Sequence, residues 1–298
     1  MSIRKLHAHE VHTDIALVHQ LLTEQFPQWA DLRIEPFDSS GTDNAIYRLG
    51  DDMCVRLPRI KSATGQAQKE HRWLPKLAPL LPLRIPAPLA QGSPAAGYPW
   101  EWSVYRWFEG EHATFDRIVD LRDAAIALAE FVVALQRIDP ANGPIAHAHS
   151  RGGRLGTRDA STREAIAALR GVIDTDAATA AWEVALRAPE WDRAPVWFHG
   201  DLLPGNVLAE EGRVSAVIDF GGLGVGDPAC DLMIAWGLFS GESRAVFRDV
   251  LAADDATWAR GRGHALSQAL LYVPYYRDTN PVGVAIARHA IDEVLADQ

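Results

Sequence analysis

The chain has 298 residues, of which 48% are hydrophobic and 23% charged, with a formal net charge of −10 and two cysteines. This length can bury a sizeable core in one large domain or two smaller ones. The acidic balance argues against nucleic acid or an anionic membrane as a partner, and two cysteines are too few for a disulfide framework or a cysteine-based zinc site. The N-terminal stretch lacks the apolar segment of a secretory signal, so we expect a cytoplasmic protein. No feature of the sequence indicates an oligomeric state.

The first 108 residues are predicted to form a mixed α/β unit. The predicted elements are, in chain order, a helix over 14–26, strands over 32–37, 45–50 and 53–58, a helix over 63–74 and a strand over 100–108. Thr13 can cap the first helix and Pro27 ends it. Pro75 should interrupt the second helix, because proline cannot donate the backbone hydrogen bond that a helix interior needs. A proline-rich link precedes the last strand.

From residue 109 onward the pattern becomes mostly helical. Helices are predicted over 120–139, 159–171 and 175–187, with a loop over 143–156, and three further helical patterns extend to Gln298. The first of these helices is strongly amphipathic and ends before Pro140. A single β-hairpin, with its turn at Glu210, Glu211 and Gly212, is predicted within this helical half.

The stretch FHGDLLPGNVLAEEGRVSAVIDFGG, residues 198–222, carries the clearest chemical pattern. Because a hairpin brings its two ends together, Asn206 before its first strand and Asp219 after its second strand should lie side by side. Asp201 should lie nearby on the preceding loop. Carboxylate and amide oxygens suit a hard cation such as Mg²⁺, and a further carboxylate beside the metal can accept a proton from an attacking hydroxyl.

The spacing in this stretch is also that of a known catalytic pattern. His199, Asp201 and Asn206 follow the spacing His-x-Asp-x-x-x-x-Asn, and Asp-Phe-Gly stands at 219–221. This is the pattern of the phosphoryl-transfer site in protein-kinase-like enzymes. With HGDLLPGNVL and VIDFGGLGVGDPACDL, the chain resembles the aminoglycoside phosphotransferase family of small-molecule kinases, and within it the macrolide and aminoglycoside kinases.

The resemblance implies an α+β, bilobal protein-kinase-like fold. A small antiparallel-sheet N-lobe over 1–108 would bind the nucleotide, with a hinge near 103–108, and a larger, mostly helical C-lobe over 109–298 would carry catalysis and bind the substrate. The residues expected to bind the nucleotide are Ser39, Ser40, Gly41, Thr42, Arg56, Glu70, Val104 and Tyr105.

These nucleotide-binding residues would act in three ways. The small residues of 39–42 allow close backbone approach to phosphates. Arg56 stands where the family expects a Lys; it remains a phosphate-binding cation, but the two residues are not interchangeable. Glu70 would pair with that cation, although a surface ion pair is the alternative interpretation. Val104 and Tyr105 would present backbone groups to the base edge. Their side chains are expected to lie in the core rather than to stack on the base.

The resemblance also implies the reaction and its central residues. Asp201 would be the catalytic base that orients the acceptor hydroxyl, and Asn206 and Asp219 would hold Mg²⁺ between the nucleotide phosphates. The expected reaction is transfer of the γ-phosphoryl group of ATP or GTP to a hydroxyl of a small molecule, an aminoglycoside- or macrolide-type antibiotic. The alternatives are a housekeeping sugar or amino-alcohol kinase of the same fold, and a nucleotide-binding pseudokinase without turnover.

Other residues are expected to support the site or to bind the acceptor. His199 would hydrogen-bond backbone near Asp219, Asp231 would brace the catalytic loop as a buried acid, and Asp227 would cap the following helix. The aromatic residues that can pack against an acceptor are Tyr272, Tyr275 and Tyr276, although they can equally be core. The acidic charge of the helical half is consistent with an amine-bearing acceptor, but a solvated acidic surface explains the same charge and is the first interpretation.

Three competing interpretations explain fewer residues. The glycines of 221–228 do not match a dinucleotide-binding loop in spacing or context. A non-haem iron site built from His199, Asp201 and either His264 or His289 would leave the hairpin-end Asn and Asp unexplained. A protein-kinase role would require the long activation loop and Ala-Pro-Glu, which do not follow the Asp-Phe-Gly.

Overall fold

The computed structural model describes residues 10–37, 43–147 and 150–297. The four residues expected to approach the nucleotide phosphates, Ser39, Ser40, Gly41 and Thr42, lie outside the described residues. Within the described part of the chain, no helix combines the length and the apolar character needed to span a membrane.

The chain divides into two compact units. One comprises Met1–Pro79 with Ile85–Glu109, and the other comprises Leu80–Arg84 with Gly110–Gln298. The short segment Leu80–Arg84 belongs to the second unit because the backbone N–H of Val217 donates to the Arg84 carbonyl at 2.9 Å. The Arg84 side chain also pairs with Glu210.

The first unit is built on a five-stranded sheet. Its strands are β1 (Ile34–Phe37), β2 (Asn44–Leu49), β3 (Met53–Pro58), β4 (Pro88–Gly92) and β5 (Trp102–Arg106), and its helices are α1 (Ile15–Gln25) and α2 (Gln66–Leu77). The sheet order is β1-β2-β3-β5-β4, and every neighbouring pair is antiparallel. The core of the unit contains the buried side chains of Leu21, Tyr47 and Trp102.

The predicted cap of α1 is wrong by one residue. Asp14, rather than Thr13, is the N-cap, and its carboxylate accepts a hydrogen bond from the Leu17 N–H at 2.8 Å. The Thr13 hydroxyl is used elsewhere, because it accepts a hydrogen bond from the Tyr47 hydroxyl at 3.0 Å. Tertiary bonding therefore decides between two neighbouring residues that can both cap a helix.

Proline also has less effect here than its local chemistry predicts. Helix α2 continues through Pro75 to Leu77, and the buried side chains of Trp73, Leu74 and Leu77 hold its last turns against the core. The proline-rich link contains β4, which begins at Pro88 on the sheet edge. A proline is tolerated there because the first residue of an edge strand need not donate to the ladder.

The second unit is mostly helical. Its helices are α3 (Leu121–Arg137), α4 (Asp159–Ala168), α5 (Thr175–Arg187), α6 (Ile234–Gly237), α7 (Gly241–Leu251), α8 (Asp255–Tyr276) and α9 (Pro281–Ala296). Its strands are β6 (Glu111–His112), β7 (Val196–Phe198), β8 (Val207–Glu210), β9 (Arg213–Val217) and β10 (Gly224–Gly226). β6, β8 and β9 form one small sheet, and β7 and β10 form another.

The predicted hairpin is confirmed. β8 and β9 pair antiparallel with Val207 opposite Val217, and the Ile218 N–H donates to the Asn206 carbonyl at 2.8 Å. The hairpin therefore closes at Asn206 and Ile218, which places Asp219 one residue beyond the last cross-strand bond.

Both cysteines are buried and neither forms a disulfide. Cys54 lies on β3 in the first unit, and burial raises the pKa of its thiol to about 11. Cys230 lies in the second unit, and burial followed by the charge of Asp231 raises the pKa of its thiol well above the ordinary value.

Candidate active site

The loop that carries Asp201 is braced by a buried acid. The Asp231 carboxylate accepts one hydrogen bond from the His199 N–H and one from the Gly200 N–H, each at 2.7 Å. Burial raises the pKa of the Asp231 carboxyl, and these two bonds act in the opposite direction. Gly200 has φ +86°, and a Cβ there would lie 2.5 Å from the Gly222 carbonyl oxygen, so only glycine fits this close approach.

His199 ties this loop to the end of the hairpin. Its Nδ1 accepts a hydrogen bond from the Asp201 N–H at 3.1 Å, which leaves Nε2–H to donate to the Ile218 carbonyl at 3.0 Å. Its ring packs edge-to-face on Phe220, with the ring centroids 4.5 Å apart. Because both ring nitrogens are used, His199 cannot serve as a ligand of the alternative iron site.

Asn206 connects the predicted base to the predicted metal site. Its Nδ2 donates to the Asp201 carbonyl at 2.8 Å and to Asp201 Oδ2 at 2.9 Å. Since the amide nitrogen is committed to Asp201, the amide oxygen is the atom left to face a cation. Asp219 follows the hairpin in a left-handed conformation, with φ 63°, and its carboxylate accepts from the Gly221 N–H at 3.4 Å.

These residues fit magnesium by their chemistry. An amide oxygen and a carboxylate from adjoining points of one hairpin are hard oxygen ligands of the kind that Mg²⁺ combines with water and substrate phosphates. No group of three or more His, Cys, Asp or Glu side chains in the described ranges could hold a metal ion.

A cation that the sequence analysis missed lies against the predicted base. Arg151 Nη2 is 3.0 Å from Asp201 Oδ1, and both side chains are less than one-third exposed. The sequence assigned this residue only to a loop, because nothing in its local pattern indicates a partner fifty positions further along the chain.

Asp227 has the predicted capping role and a second contact. Its carboxylate accepts from the Ala229 N–H at 3.0 Å, at the start of the short 3₁₀ segment Pro228–Met233. Arg260 on α8 also grips it with two hydrogen bonds, Nε to Oδ2 at 2.7 Å and Nη2 to Oδ1 at 3.2 Å. The chain segment between the hairpin and the helices is therefore held by a bidentate pair.

In the first unit, the structure brings Arg56, Glu70 and Tyr105 together. Arg56 Nη1 lies 3.2 Å from Glu70 Oε2, and the Tyr105 hydroxyl donates to the same oxygen. The guanidinium lies 5.2 Å from the centroid of the Tyr105 ring. Glu70 is only 1% exposed, so this pair is not a surface contact. Burial and then the charge of Glu70 raise the pKa of Tyr105 well above its ordinary value.

The predicted hinge residues lie inside the sheet. Val104 and Tyr105 belong to β5, which pairs with β3 on one side and β4 on the other, and both side chains are buried. Contact between their backbone groups and a nucleotide base stays a prediction. The Tyr105 side chain is buried, as the sequence analysis expects, and it also belongs to the Arg56 cluster.

The three tyrosines predicted to face an acceptor lie together at the end of α8. The rings of Tyr272 and Tyr276 are 4.4 Å apart, and those of Tyr275 and Tyr276 are 4.6 Å apart. Tyr275 is 63% exposed. Burial, followed by Tyr276 and the charge of Asp201, raises the pKa of Tyr272 to about 12. Tyr272 therefore lies within electrostatic reach of the predicted base.

The model of the phosphotransferase enzyme family matches residues 34–264, so the chain belongs to that family. This match confirms the resemblance to aminoglycoside phosphotransferases that the motifs indicated, and it makes the protein a small-molecule kinase. A comparison with curated proteins gave no match.

Solved structures confirm the fold class. Aminoglycoside 2′-phosphotransferase-IIIa, in its GDP complex, has a TM-score of 0.74 and 19% identity over 95% of this chain and 99% of its own. Macrolide 2′-phosphotransferase MphH from Brachybacterium faecium has a TM-score of 0.60 and 24% identity over 96% of this chain and 98% of its own. A ternary complex of streptomycin, ATP and APH(2″)-IIa has a TM-score of 0.56 and 19% identity over 97% of this chain and 98% of its own. At these identities the likeness concerns the fold, α+β with an antiparallel-sheet N-terminal unit and a helical C-terminal unit.

Proposed function

We propose that the protein transfers the γ-phosphoryl group of ATP or GTP to a hydroxyl of a small molecule, with Mg²⁺ as the cofactor. The observation that carries this proposal is the bond from Asn206 Nδ2 to Asp201 Oδ2 at the closed end of the hairpin. It joins the proposed base to a proposed metal ligand in the spacing of phosphoryl-transfer enzymes.

Each residue of the motif has a defined task in this proposal. Asp201 accepts a hydrogen bond from the acceptor hydroxyl, aims its oxygen at the γ-phosphorus and takes its proton as the new O–P bond forms. The bond between the γ-phosphorus and the β,γ-bridging oxygen breaks, and ADP or GDP leaves with that oxygen. The amide oxygen of Asn206 and the carboxylate of Asp219 would hold Mg²⁺. When bound, Mg²⁺ supplies neutralisation of the charge on the nucleotide phosphates. His199 and Asp231 keep the base loop in register with the hairpin end.

The first unit would supply a cation for the nucleotide phosphates. Arg56 pairs with Glu70, and the Glu70 carboxylate also accepts a hydrogen bond from Tyr105. This pairing fixes the direction of the Arg56 guanidinium. Further proposed nucleotide contacts are the β5 residues Val104 and Tyr105, and Ser39, Ser40, Gly41 and Thr42, which lie outside the described residues. Similar solved enzymes were captured with GDP, with ADP and with ATP, so both purine nucleotides should be tested.

For the acceptor, we propose an aminoglycoside- or macrolide-type antibiotic. Similar solved enzymes are named for these drug classes, and complexes with kanamycin and gentamicin are among them. The tyrosines of α8 support this proposal, because an exposed aromatic surface can pack against a sugar face and Tyr272 lies within reach of the Asp201 charge. A housekeeping sugar or amino-alcohol kinase would use the same catalytic residues.

The test is nucleotide consumption by the purified protein with Mg²⁺, ATP or GTP, and a panel of aminoglycosides, macrolides, simple sugars and amino alcohols. Acceptor-dependent consumption should fall by about 1,000-fold or more in Asp201→Ala. Calorimetric binding of ADP or GDP should persist in that variant. Asp192→Ala, at an exposed aspartate of the same unit, should behave as wild type.

The outcomes separate the proposals. Substantial turnover in Asp201→Ala would reject the mechanism. Nucleotide binding by the wild type without turnover on any acceptor would favour a pseudokinase, and absence of nucleotide binding would reject the proposed function altogether.

A further inference from the structure

The proposed base is held at both of its oxygens. Asn206 Nδ2 donates to Asp201 Oδ2 at 2.9 Å, and Arg151 Nη2 lies 3.0 Å from Asp201 Oδ1. The Oδ1 atom is covered and accepts no hydrogen bond from the described residues, so its contact with Arg151 is an ion pair, although the side chain as a whole is 30% exposed. Among the ion pairs formed by the described residues, Arg151 is the one that reaches Asp201. It comes from a loop that carries none of the sequence motifs.

The loop around Arg151 is fixed by bonds to the scaffold of the base. The Gly152 carbonyl accepts a hydrogen bond from the Asp227 N–H at 3.1 Å, and Arg260 in turn grips the Asp227 side chain. A Cβ on Gly152 would lie 2.1 Å from the ring of Phe198, the residue before His199, so the backbone here touches the ring directly. Arg151 is therefore placed by the same segments that place the base loop.

The position of Arg151 also carries an electrostatic cost. Arg158 lies close enough that repulsion from Arg151, after burial, lowers the pKa of Arg158 to about 10. Arg158 has no carboxylate partner among the described residues, and its Nε donates to Ser267 Oγ at 2.9 Å. A second cation beside an unneutralised guanidinium is unfavourable for stability alone. The ion pair of Arg151 with Asp201 offsets this repulsion and accounts for the position of Arg151.

We propose that Arg151 is a positioning residue for phosphoryl transfer, which holds Oδ1 of Asp201 so that the carboxylate meets the acceptor hydroxyl in one fixed orientation. This inference rests on the proposed function. In a loose phosphoryl-transfer transition state, the direction of the attacking hydroxyl matters more than the strength of the base. Without Arg151, the carboxylate is anchored through Oδ2 alone and can rotate away from the acceptor.

The kinetic test compares Arg151→Gln and Arg151→Lys with wild type. Arg151→Gln should lower kcat by about 100-fold, the scale of loss caused by a misplaced reacting group. The KM for the nucleotide should change less than threefold. Arg151→Lys keeps a positive charge within reach of Oδ1 and should recover at least a tenth of the wild-type kcat. Arg154→Gln is the matched control, because Arg154 lies on the same loop, is 74% exposed and pairs with Glu190.

Each kinetic outcome has a defined meaning. A kcat within threefold of wild type in Arg151→Gln would overturn the proposal, and so would a Lys variant no more active than the Gln variant. Equal losses in Arg151→Gln and Arg154→Gln would show a general effect of the loop and would also overturn it.

A second measurement tests the contact without any turnover. The melting temperatures of Arg151→Gln, Asp201→Asn and the double variant form a thermodynamic cycle. A coupled pair should give a double-variant shift that differs from the sum of the single shifts by about 2 °C or more. Additive shifts would overturn the inference even in an active enzyme. If Asp201→Ala remained active while the cycle showed coupling, the mechanism with Asp201 as base would fail, and the positioning role of Arg151 would fail with it, although the ion pair itself would stand.

Discussion

The proposed site in each unit includes an arginine ion-paired with a carboxylate, and the more exposed member is the arginine in the first unit and the carboxylate in the second. In the first unit, Glu70 is 1% exposed and Arg56 is 13% exposed. In the second unit, Asp201 is 30% exposed and Arg151 is 24% exposed. Each carboxylate has a further partner, the Tyr105 hydroxyl for Glu70 and the Asn206 amide for Asp201.

The difference in exposure indicates that the arginine and the carboxylate have opposite roles in the two ion pairs. A fully buried acid with two donors serves to hold its cation, so Arg56 would be the member that meets a ligand. Asp201 is partly exposed, and Asn206 and Arg151 each contact one of its oxygens. Asp201 would therefore meet a ligand itself, and Arg151 would support it. In one unit the acid would position the cation, and in the other the cation would position the acid.

The largest effect should come from Asp231, the buried acid that braces the base loop of the second unit through two backbone N–H groups. In Asp231→Ala, two buried backbone N–H groups lose their acceptor, which should lower the free energy of unfolding by about 3 kcal/mol. Chemical denaturation followed by circular dichroism measures this loss.

Two variants accompany this measurement. Asp231→Asn should lose less stability, since its amide oxygen still accepts one of the two bonds. Asp249→Ala, at an exposed aspartate on α7, should change stability little. Equal stability of Asp231→Ala and wild type would contradict the bracing role.

The next effect concerns Arg56. Arg56→Gln removes the proposed phosphate cation and should lower kcat/KM for the nucleotide by about 100-fold. Arg56→Lys should stay within about tenfold of wild type, because the charge remains while the bidentate geometry is lost. Steady-state kinetics with varied nucleotide measures both, with the exposed Arg33→Gln as control. Wild-type kinetics in Arg56→Gln would make the pair with Glu70 purely structural.

The smallest of these effects concerns His264, which is buried near the guanidinium groups of Arg158 and Arg151. Burial, followed by these charges, lowers the pKa of His264 from 6.5 to about 3, and neither ring nitrogen has a hydrogen-bond partner in the described part of the chain. As pH falls below 6.5, the unfolded chain binds a proton that the folded chain refuses until about pH 3, so stability is lost with falling pH. At pH 5 this loss should reach about 2 kcal/mol relative to pH 7.5.

The leucine variant isolates this contribution. His264→Leu should be less sensitive to acid than wild type when unfolding is compared at pH 5 and pH 7.5. His19→Leu, at an exposed histidine on α1, should keep the wild-type difference. An unchanged acid sensitivity in His264→Leu would contradict the assignment of a neutral buried imidazole.

Sequence alone predicted the elements whose pattern is local and repeated. The strand predicted over 53–58 is β3, and the helix predicted over 175–187 is α5, with the same bounds. β7 and β10 were missed because three residues are too few to reveal an alternation. β4 was missed because prolines normally mark a break, whereas Pro88 lies on the edge strand of the sheet.

The same distinction applies to the candidate site. The motif residues Asp201, Asn206 and Asp219 are visible because their spacing lies within one hairpin and the loop before it. Arg151 is invisible because its partner is distant in sequence and its loop has no periodic pattern. Tyr105 was assigned to the core correctly by burial, but its hydroxyl bond to Glu70 depends on β5 lying beside β3, which only the sheet order reveals.

Each unit contains one cysteine whose reactivity can report local unfolding of that unit. Cys54 and Cys230 are buried in different units, and both have pKa values raised by burial. Because the thiolate is the reactive species, neither should react with an alkylating reagent until its surroundings open. In variants that keep one cysteine at a time, the rate of alkylation reports how often the sheet around Cys54, or the helical unit around Cys230, exposes its interior. The chain thus carries, without any added label, two independent probes of its own local unfolding.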